Sequence, residues 1–318
     1  MFLYHNTQPI LENKNTRMDR RSFITTSAKG AIGASFALSL TSCFATKQEE
    51  ELFFKISLAE WSLNRTIHSG KLTNLQFPLK AKNDFGINAV EYVNTFFFDK
   101  AKDKAYLKEL KTITETNGIE NVLIMIDAEG AIGDIDAKKR KQAIENHYKW
   151  VEAAQFLGCH SIRVNTAKSG SKEEVSKASI EGLHQLSTFA KDYDINILVE
   201  NHGGHSSDGQ WLSNVINKVD LPNCGTLPDF GNFYEYDRYQ GVKDMMPLAK
   251  AVSAKTMEFN LEGDEIGIDY VKMLQIVKDS GYRGHIGIEF EGDANHRDED
   301  LGIRMTKELL LKSAGKLI

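Results

Sequence analysis

The 318-residue chain is 41% hydrophobic and 26% charged, which supplies enough apolar side chain for one large core. Its formal net charge of −5 excludes a nucleic-acid binder that works by neutralising phosphates. Beyond the N-terminus no apolar run reaches the roughly 18 residues that a membrane-spanning helix needs.

The first residues read as an address, not as part of a fold. "MDRRSFI" (18–24) places Arg20 and Arg21 just before Phe23, the pattern of a twin-arginine export signal. The apolar run "AIGASFALSL" (31–40) leads to "LTSC" (40–43), a lipoprotein-type cleavage box with Cys43 as the lipidated residue. Met18 directly precedes the motif and is the expected native start. Residues 1–43 are therefore expected to be a signal, 44–51 a short linker, and the location the periplasm. Membrane contact would come only through a lipid on Cys43. The signal carries five basic and two acidic side chains, so the rest of the chain has a net charge near −8.

From residue 52 onward, short apolar runs alternate with amphipathic segments. The predicted strands are "FKISLAEW" (54–61), "INAVEYV" (87–93), "ENVLIMID" (120–127) and "HSIRVN" (160–165). They continue with "NILVEN" (196–201), "CGTLPDF" (224–230), "AVSAKTMEF" (251–259) and "HIGIEFEG" (285–292). The clearest helix is 137–158, where Ala143, His147, Trp150, Ala154 and Leu157 recur at helical spacing and Gly158 ends the pattern. Further helices are expected over 268–284 and 299–315. Cys159 and Cys224 each precede a strand, with one further strand between theirs, and are expected to be buried free thiols.

Eight alternating strand–helix units with no linker between them predict an α/β fold, a single-domain (β/α)8 TIM barrel over 52–318. An open doubly wound sheet would want a glycine-rich phosphate turn after an early strand, and neither G-x-G-x-x-G nor G-x-x-x-x-G-K is present.

Polar residues collect at the C-terminal ends of the strands: Glu60, Glu91, Asp127, Arg163, Glu200, Asp229, Lys255 and Glu289. In a barrel those ends form one face, where active sites are built. Alternation puts Glu200 with His202, Ser253 with Lys255, Glu289 with Glu291 and Arg163 with Asn165. Three carboxylates converging in a buried rim call for a divalent cation or for strongly raised pKa values. Lys255, in a run otherwise buried on both faces, must pair or lose its proton. The polar loop "NTAKSGSKEEV" (165–175) has two lysines near a helix start, a weak phosphate-binding pattern.

The blocks "VENHGG", "GTLPDFGNF", "GVKDMMPLAKAVSAKTMEF" and "GYRGHIGIEFEG" resemble the sugar-phosphate isomerase/epimerase family, the xylose-isomerase-like TIM barrels, in order and spacing across 52–318. The resemblance implies one divalent metal bound by a Glu on strand five, an Asp on strand six, a His on strand seven and a Glu on strand eight. Glu200, Asp229 and Glu289 match; the seventh-strand position holds Ser253 and Lys255 instead of histidine. Either three carboxylates and water hold the metal, or His202 supplies a nitrogen. A carboxylate-rich set favours Mn²⁺ or Mg²⁺ over Zn²⁺ or Co²⁺.

The implied chemistry is proton abstraction beside a sugar carbonyl through an enediolate, giving isomerisation or epimerisation. Glu200 and Glu289 would move protons with His202, Lys255 would donate to the oxyanion, and Trp61, Glu91, Arg163 and Asn165 would position the sugar. The expected partner is a small, unphosphorylated carbohydrate. β-Elimination of a 3-keto-glycoside on the same site is the alternative, and a non-catalytic sugar-binding barrel the alternative of another class.

Overall fold

In the computed structural model, described over residues 52–166, 169–292 and 297–317, eight parallel strands alternate with helices. The strands are β1 (Lys55–Ala59), β2 (Ala89–Val93), β3 (Glu120–Met125), β4 (Ser161–Val164), β5 (Asn196–Glu200), β6 (Cys224–Leu227), β7 (Val252–Thr256) and β8 (His285–Phe290). The helices are α1 (Asn64–His68), α2 (Phe77–Phe85), α3 (Lys104–Thr116), α4 (Ala137–Leu157), α5 (Lys172–Lys191), α6 (Gly209–Val219), α7 (Arg238–Met245), α8 (Tyr270–Asp279) and α9 (Glu299–Gly315). The expected signal (1–43) and linker (44–51) lie outside the described residues.

The sheet runs in the order β6-β5-β4-β3-β2-β1-β8-β7. Its two ends meet through the parallel bridges Thr226↔Ala249 and Asp229↔Ser253, so the sheet curls round on itself as the (β/α)8 pattern demands. Pro228 explains why β6 and β7 do not form a full ladder: it has no N–H, although its carbonyl accepts from Ser253 N at 2.9 Å.

The helices start where the sequence provides a cap. Asp103, Asp136, Asp208, Asp237, Asp269 and Asp298 each accept a backbone N–H of the first turn, satisfying donors the helix itself cannot. On α5 Ser171 and Glu174 form a reciprocal capping box. That box occupies the start of α5, and Lys172 pairs with Asp208 at 2.8 Å, so Ser171, Lys172 and Glu174 near the weak phosphate-binding pattern are engaged within the chain. The α4 residues at helical spacing, Ala143, His147, Trp150, Ala154 and Leu157, are all buried.

The main core lies between the strands and the helices, built on Leu58, Val90, Ile124, Ile162, Ile197, Ile286 and Ile288. A smaller cluster contains Ala59, Leu123, Met125, Leu198 and Leu227. Leu198 shares its strand face with Glu200, and Leu227 its face with Asp229, so this cluster forms an apolar floor beneath the carboxylates. Cys159 and Cys224 are buried free thiols. Among the described residues no helix is long and apolar enough to cross a membrane.

Candidate active site

Three strand ends bring three carboxylates together. Glu200 closes β5, Asp229 follows β6 by two residues and Glu289 is the penultimate residue of β8. One oxygen from each lies within 4.8 Å of the others, and all three residues are buried. Lys255 on β7 stands directly opposite Glu289 in the ladder. Its ammonium is 3.0 Å from Glu289 Oε1, 3.5 Å from Glu291 Oε2 and 3.9 Å from Asp229 Oδ2.

The remaining oxygens are held by short polar groups. Ser253 Oγ lies within hydrogen-bond distance of Asp229 Oδ2 (2.7 Å) and Glu289 Oε2 (3.1 Å). Gly231 N and Asn232 N both donate to Asp229 Oδ1 at 2.8 Å, so Asp229 forms the "DFGN" turn and faces the cluster at once. Asn232 Nδ2 donates to Glu200 Oε1 at 3.0 Å. Arg163 Nε approaches Glu200 Oε2 to 2.9 Å without hydrogen-bond alignment, leaving that buried oxygen with no donor. The same arginine donates through Nη1 to Asp127 Oδ1 at 2.8 Å, and Asn165 Nδ2 donates to the same oxygen at 2.8 Å.

Burial and charge set the protonation of these groups. Burial pushes the Glu200 carboxyl up to about 7, against the pull of Arg163. It lifts Asp229 to about 7 as well, partly offset by Lys255. Glu289 is equally buried, but the Lys255 ammonium beside it, helped by Arg163 and Ser253, holds its carboxyl below the ordinary value. Two neighbouring acids with opposite tendencies form the arrangement that acid–base chemistry uses. Burial lowers His202 to about 4, aided by Arg163 and Lys255, so its imidazole is neutral.

Above the cluster opens a cavity of about 720 Å³ lined by Trp61, Asp127, Arg163, His202, Lys255 and Glu289, among others. Trp61 stacks on Phe96 at 6.1 Å and donates through Nε1 to Glu291 Oε2 at 3.0 Å. Trp61, Arg163, Lys255 and Glu289 thus stand together on the wall of one cavity.

Two other residues sit differently. Glu91, expected to position hydroxyls, is not on the cavity wall: it is 1% exposed and accepts from Ser57 Oγ at 2.5 Å. Burial pushes its carboxyl up to about 8. His202 is not part of the group of ligating atoms gathered within 4.8 Å, which among the described residues contains carboxylates alone; its Nδ1 is buried without a partner. Asn232 carries a contact that strand-end reading missed, although its place three residues after Asp229 in "DFGN" signals it. His205, a loop residue, bonds Gly170 O at 2.9 Å.

The donor set suits a cation in type and spacing. Three buried carboxylates converge and Glu200 Oε2 lacks any hydrogen bond, so a divalent ion fits here, and an all-oxygen set is the kind that hard ions take.

The barrel rim thus carries a buried carboxylate triad. The model of the xylose isomerase-like TIM barrel family matches residues 79–310, and the chain belongs to that family. No curated protein matches it. Among solved structures, the IolI protein with a bound zinc atom superposes with a TM-score of 0.68 at 18% identity, covering 83% of this chain and 99% of that one. A xylose isomerase-like TIM barrel protein from Mycobacterium smegmatis in complex with magnesium gives 0.62 at 13%, covering 83% and 97%. The 3-keto-D-glucoside 4-epimerase of E. coli gives 0.61 at 15%, covering 82% and 100%.

Proposed function

We propose that the chain is a carbohydrate isomerase or epimerase that moves a proton at the carbon beside a sugar carbonyl, through an enediolate. The observation that carries this reading is the pair Glu200 and Glu289: two buried carboxylates in one cluster, one raised to about 7 and the other lowered. Glu289 takes the proton as base, and Glu200 across the cluster returns it. Return to the opposite face gives an epimer, and return to the adjacent carbon an isomer.

Lewis-acid polarisation of the carbonyl is what a divalent ion held by Glu200, Asp229 and Glu289 would supply when bound. Mn²⁺ or Mg²⁺ suits the oxygen donors; Zn²⁺ and Co²⁺ remain alternatives, and a zinc- and a magnesium-containing structure share the fold. The chain's own residues do the rest. Lys255 donates to oxyanion charge, Arg163 with Asp127 and Asn165 fixes hydroxyls, Trp61 offers a face to the sugar ring, and neutral His202 lends a nitrogen to the wall. An unphosphorylated sugar fits best, because the two cationic side chains of the wall, Arg163 and Lys255, stand among the carboxylates of Asp127, Glu200, Asp229, Glu289 and Glu291, which leaves no surplus positive charge for a phosphate.

β-Elimination of a 3-keto-glycoside is a second reading. It is favoured by the cavity of about 720 Å³, roomier than one pyranose ring requires, with Trp61, Tyr234 and Met257 on its wall. The test is to follow solvent deuterium into free ketoses and 3-keto-glycosides with the Mn²⁺-supplemented protein. Exchange without cleavage supports the isomerase or epimerase. Release of the aglycone supports elimination, and retained binding with neither supports a non-catalytic barrel.

Export and lipidation at Cys43 are part of the proposal on sequence alone. Replacing Arg20 and Arg21 by lysine should retain the precursor in the cytoplasm; normal export of that variant would refute it.

A further inference from the structure

Most oxygens of the carboxylate triad already face a protein donor, whereas the buried Glu200 Oε2 has none. Asp229 Oδ1 has two backbone N–H groups and Oδ2 has Ser253 Oγ. Glu289 Oε2 can take the single Ser253 proton only in place of Asp229 Oδ2, while Glu289 Oε1 has the Lys255 ammonium and Glu200 Oε1 has Asn232. Lys255 is 6% exposed. Its stem runs so close to the Gly231 backbone that a Cβ there would come within 3.0 Å of two of its methylenes. The chain thus places its own cation beside two of the three carboxylates that would receive a divalent ion, Glu289 and Asp229. Two cations a few ångströms apart in a buried site repel, so a divalent ion competes with the ammonium for Glu289. A second seat exists: Glu291 Oε2 is 3.5 Å from the same ammonium, on a side chain 33% exposed toward the cavity and already anchored by Trp61 Nε1.

We propose that Lys255 is a displaceable resident cation of the triad, seated on Glu289 in the metal-free protein and moved to Glu291 when a divalent ion enters. The proposal rests on the metal reading of the triad given above. The consequence is weak, exchangeable metal binding, set by competition with a tethered ammonium.

The experiment is Mn²⁺ binding followed by electron paramagnetic resonance of the free ion, with wild type, Lys255→Met and Glu291→Gln. Lys255→Met should bind Mn²⁺ tighter by about tenfold or more, and Glu291→Gln, which removes the second seat, should bind it more weakly than wild type. Wild type and Lys255→Met binding Mn²⁺ equally would overturn the proposal while leaving the metal reading intact. Mn²⁺ bound by neither would overturn both. If Lys255→Met fails to fold, a Mn²⁺-soaked crystal of wild type decides: Nζ shifted from Glu289 to Glu291 supports the displacement, and Nζ still 3.0 Å from Glu289 beside a bound ion refutes it.

Discussion

Several acids of this barrel are buried away from the water that would normally stabilise their charge, and their neighbours decide what each becomes. Glu289 keeps its charge because Lys255 lies 3.0 Å away. Glu289→Gln should leave the fold intact and lower turnover by about a hundredfold or more, the range expected for loss of a general base, measured by steady-state assay. Glu60 is different: fully buried, bonded by Asn74 and Val93 N, its carboxyl is raised from an ordinary 4.5 to about 8 by burial. Between those values the folded chain holds a proton that the unfolded chain has released. Its contribution is therefore fully present below pH 4.5 and lost as pH rises through about 8. Thermal midpoints of the wild type should fall across that window, and Glu60→Gln should flatten the slope; an unchanged slope would show that Glu60 is ionised in the fold. Glu200, Asp229 and Glu289 were legible as strand-end carboxylates, because a strand's end and its two-residue alternation can be read locally. Ser57 under Glu91 and Asn232 on Glu200 were not assigned, since these contacts join elements distant in sequence.

At the level of elements, the strands were readable but their ends were not. The β1 pattern was expected to run to Trp61, yet the strand stops at Ala59 and Glu60 and Trp61 lie in a 3₁₀ turn. β6 stops at Leu227 before Pro228, and β7 at Thr256. The causes are local: Pro228 lacks the N–H that would continue β6, and after Ala59 the chain turns at once into the 3₁₀ turn that carries Glu60 and Trp61, while the sequence pattern continues past the last ladder bond. Interior space is equally exacting. A Cβ on Gly287 of β8 would meet the Glu91 carboxylate at 2.6 Å, so Gly287→Ala should cost about 1–3 kcal/mol by overpacking, read by denaturant unfolding. Combining it with Glu91→Ala should recover part of that loss, and strict additivity would mean the two residues do not meet. On the helical layer, Asp136 accepts from Lys138 N and Lys139 N. Asp136→Ala should cost about 1 kcal/mol with no change at the rim.

Across the whole molecule, the alternation of eight strands and helices was enough to expect a closed parallel barrel, since each parallel pairing needs a crossover helix. The same reasoning put the polar strand ends on one face, and the structure gathers Glu200, Asp229 and Glu289 there with Lys255 among them. What the sequence could not convey was depth: Glu91 is buried off the cavity wall whereas His202 lines it, because a residue's height in a barrel depends on strand stagger, which no single strand encodes. The most direct test of the central claim, that Glu200 and Glu289 form a proton-moving pair at a carbon beside a carbonyl, is solvent-deuterium wash-in. Wild type and Glu289→Gln would be followed by NMR on a responsive ketose or keto-glycoside. The account expects deuterium at that carbon with wild type and a loss of about a hundredfold or more with Glu289→Gln. Wash-in by Glu289→Gln at the wild-type rate would contradict it.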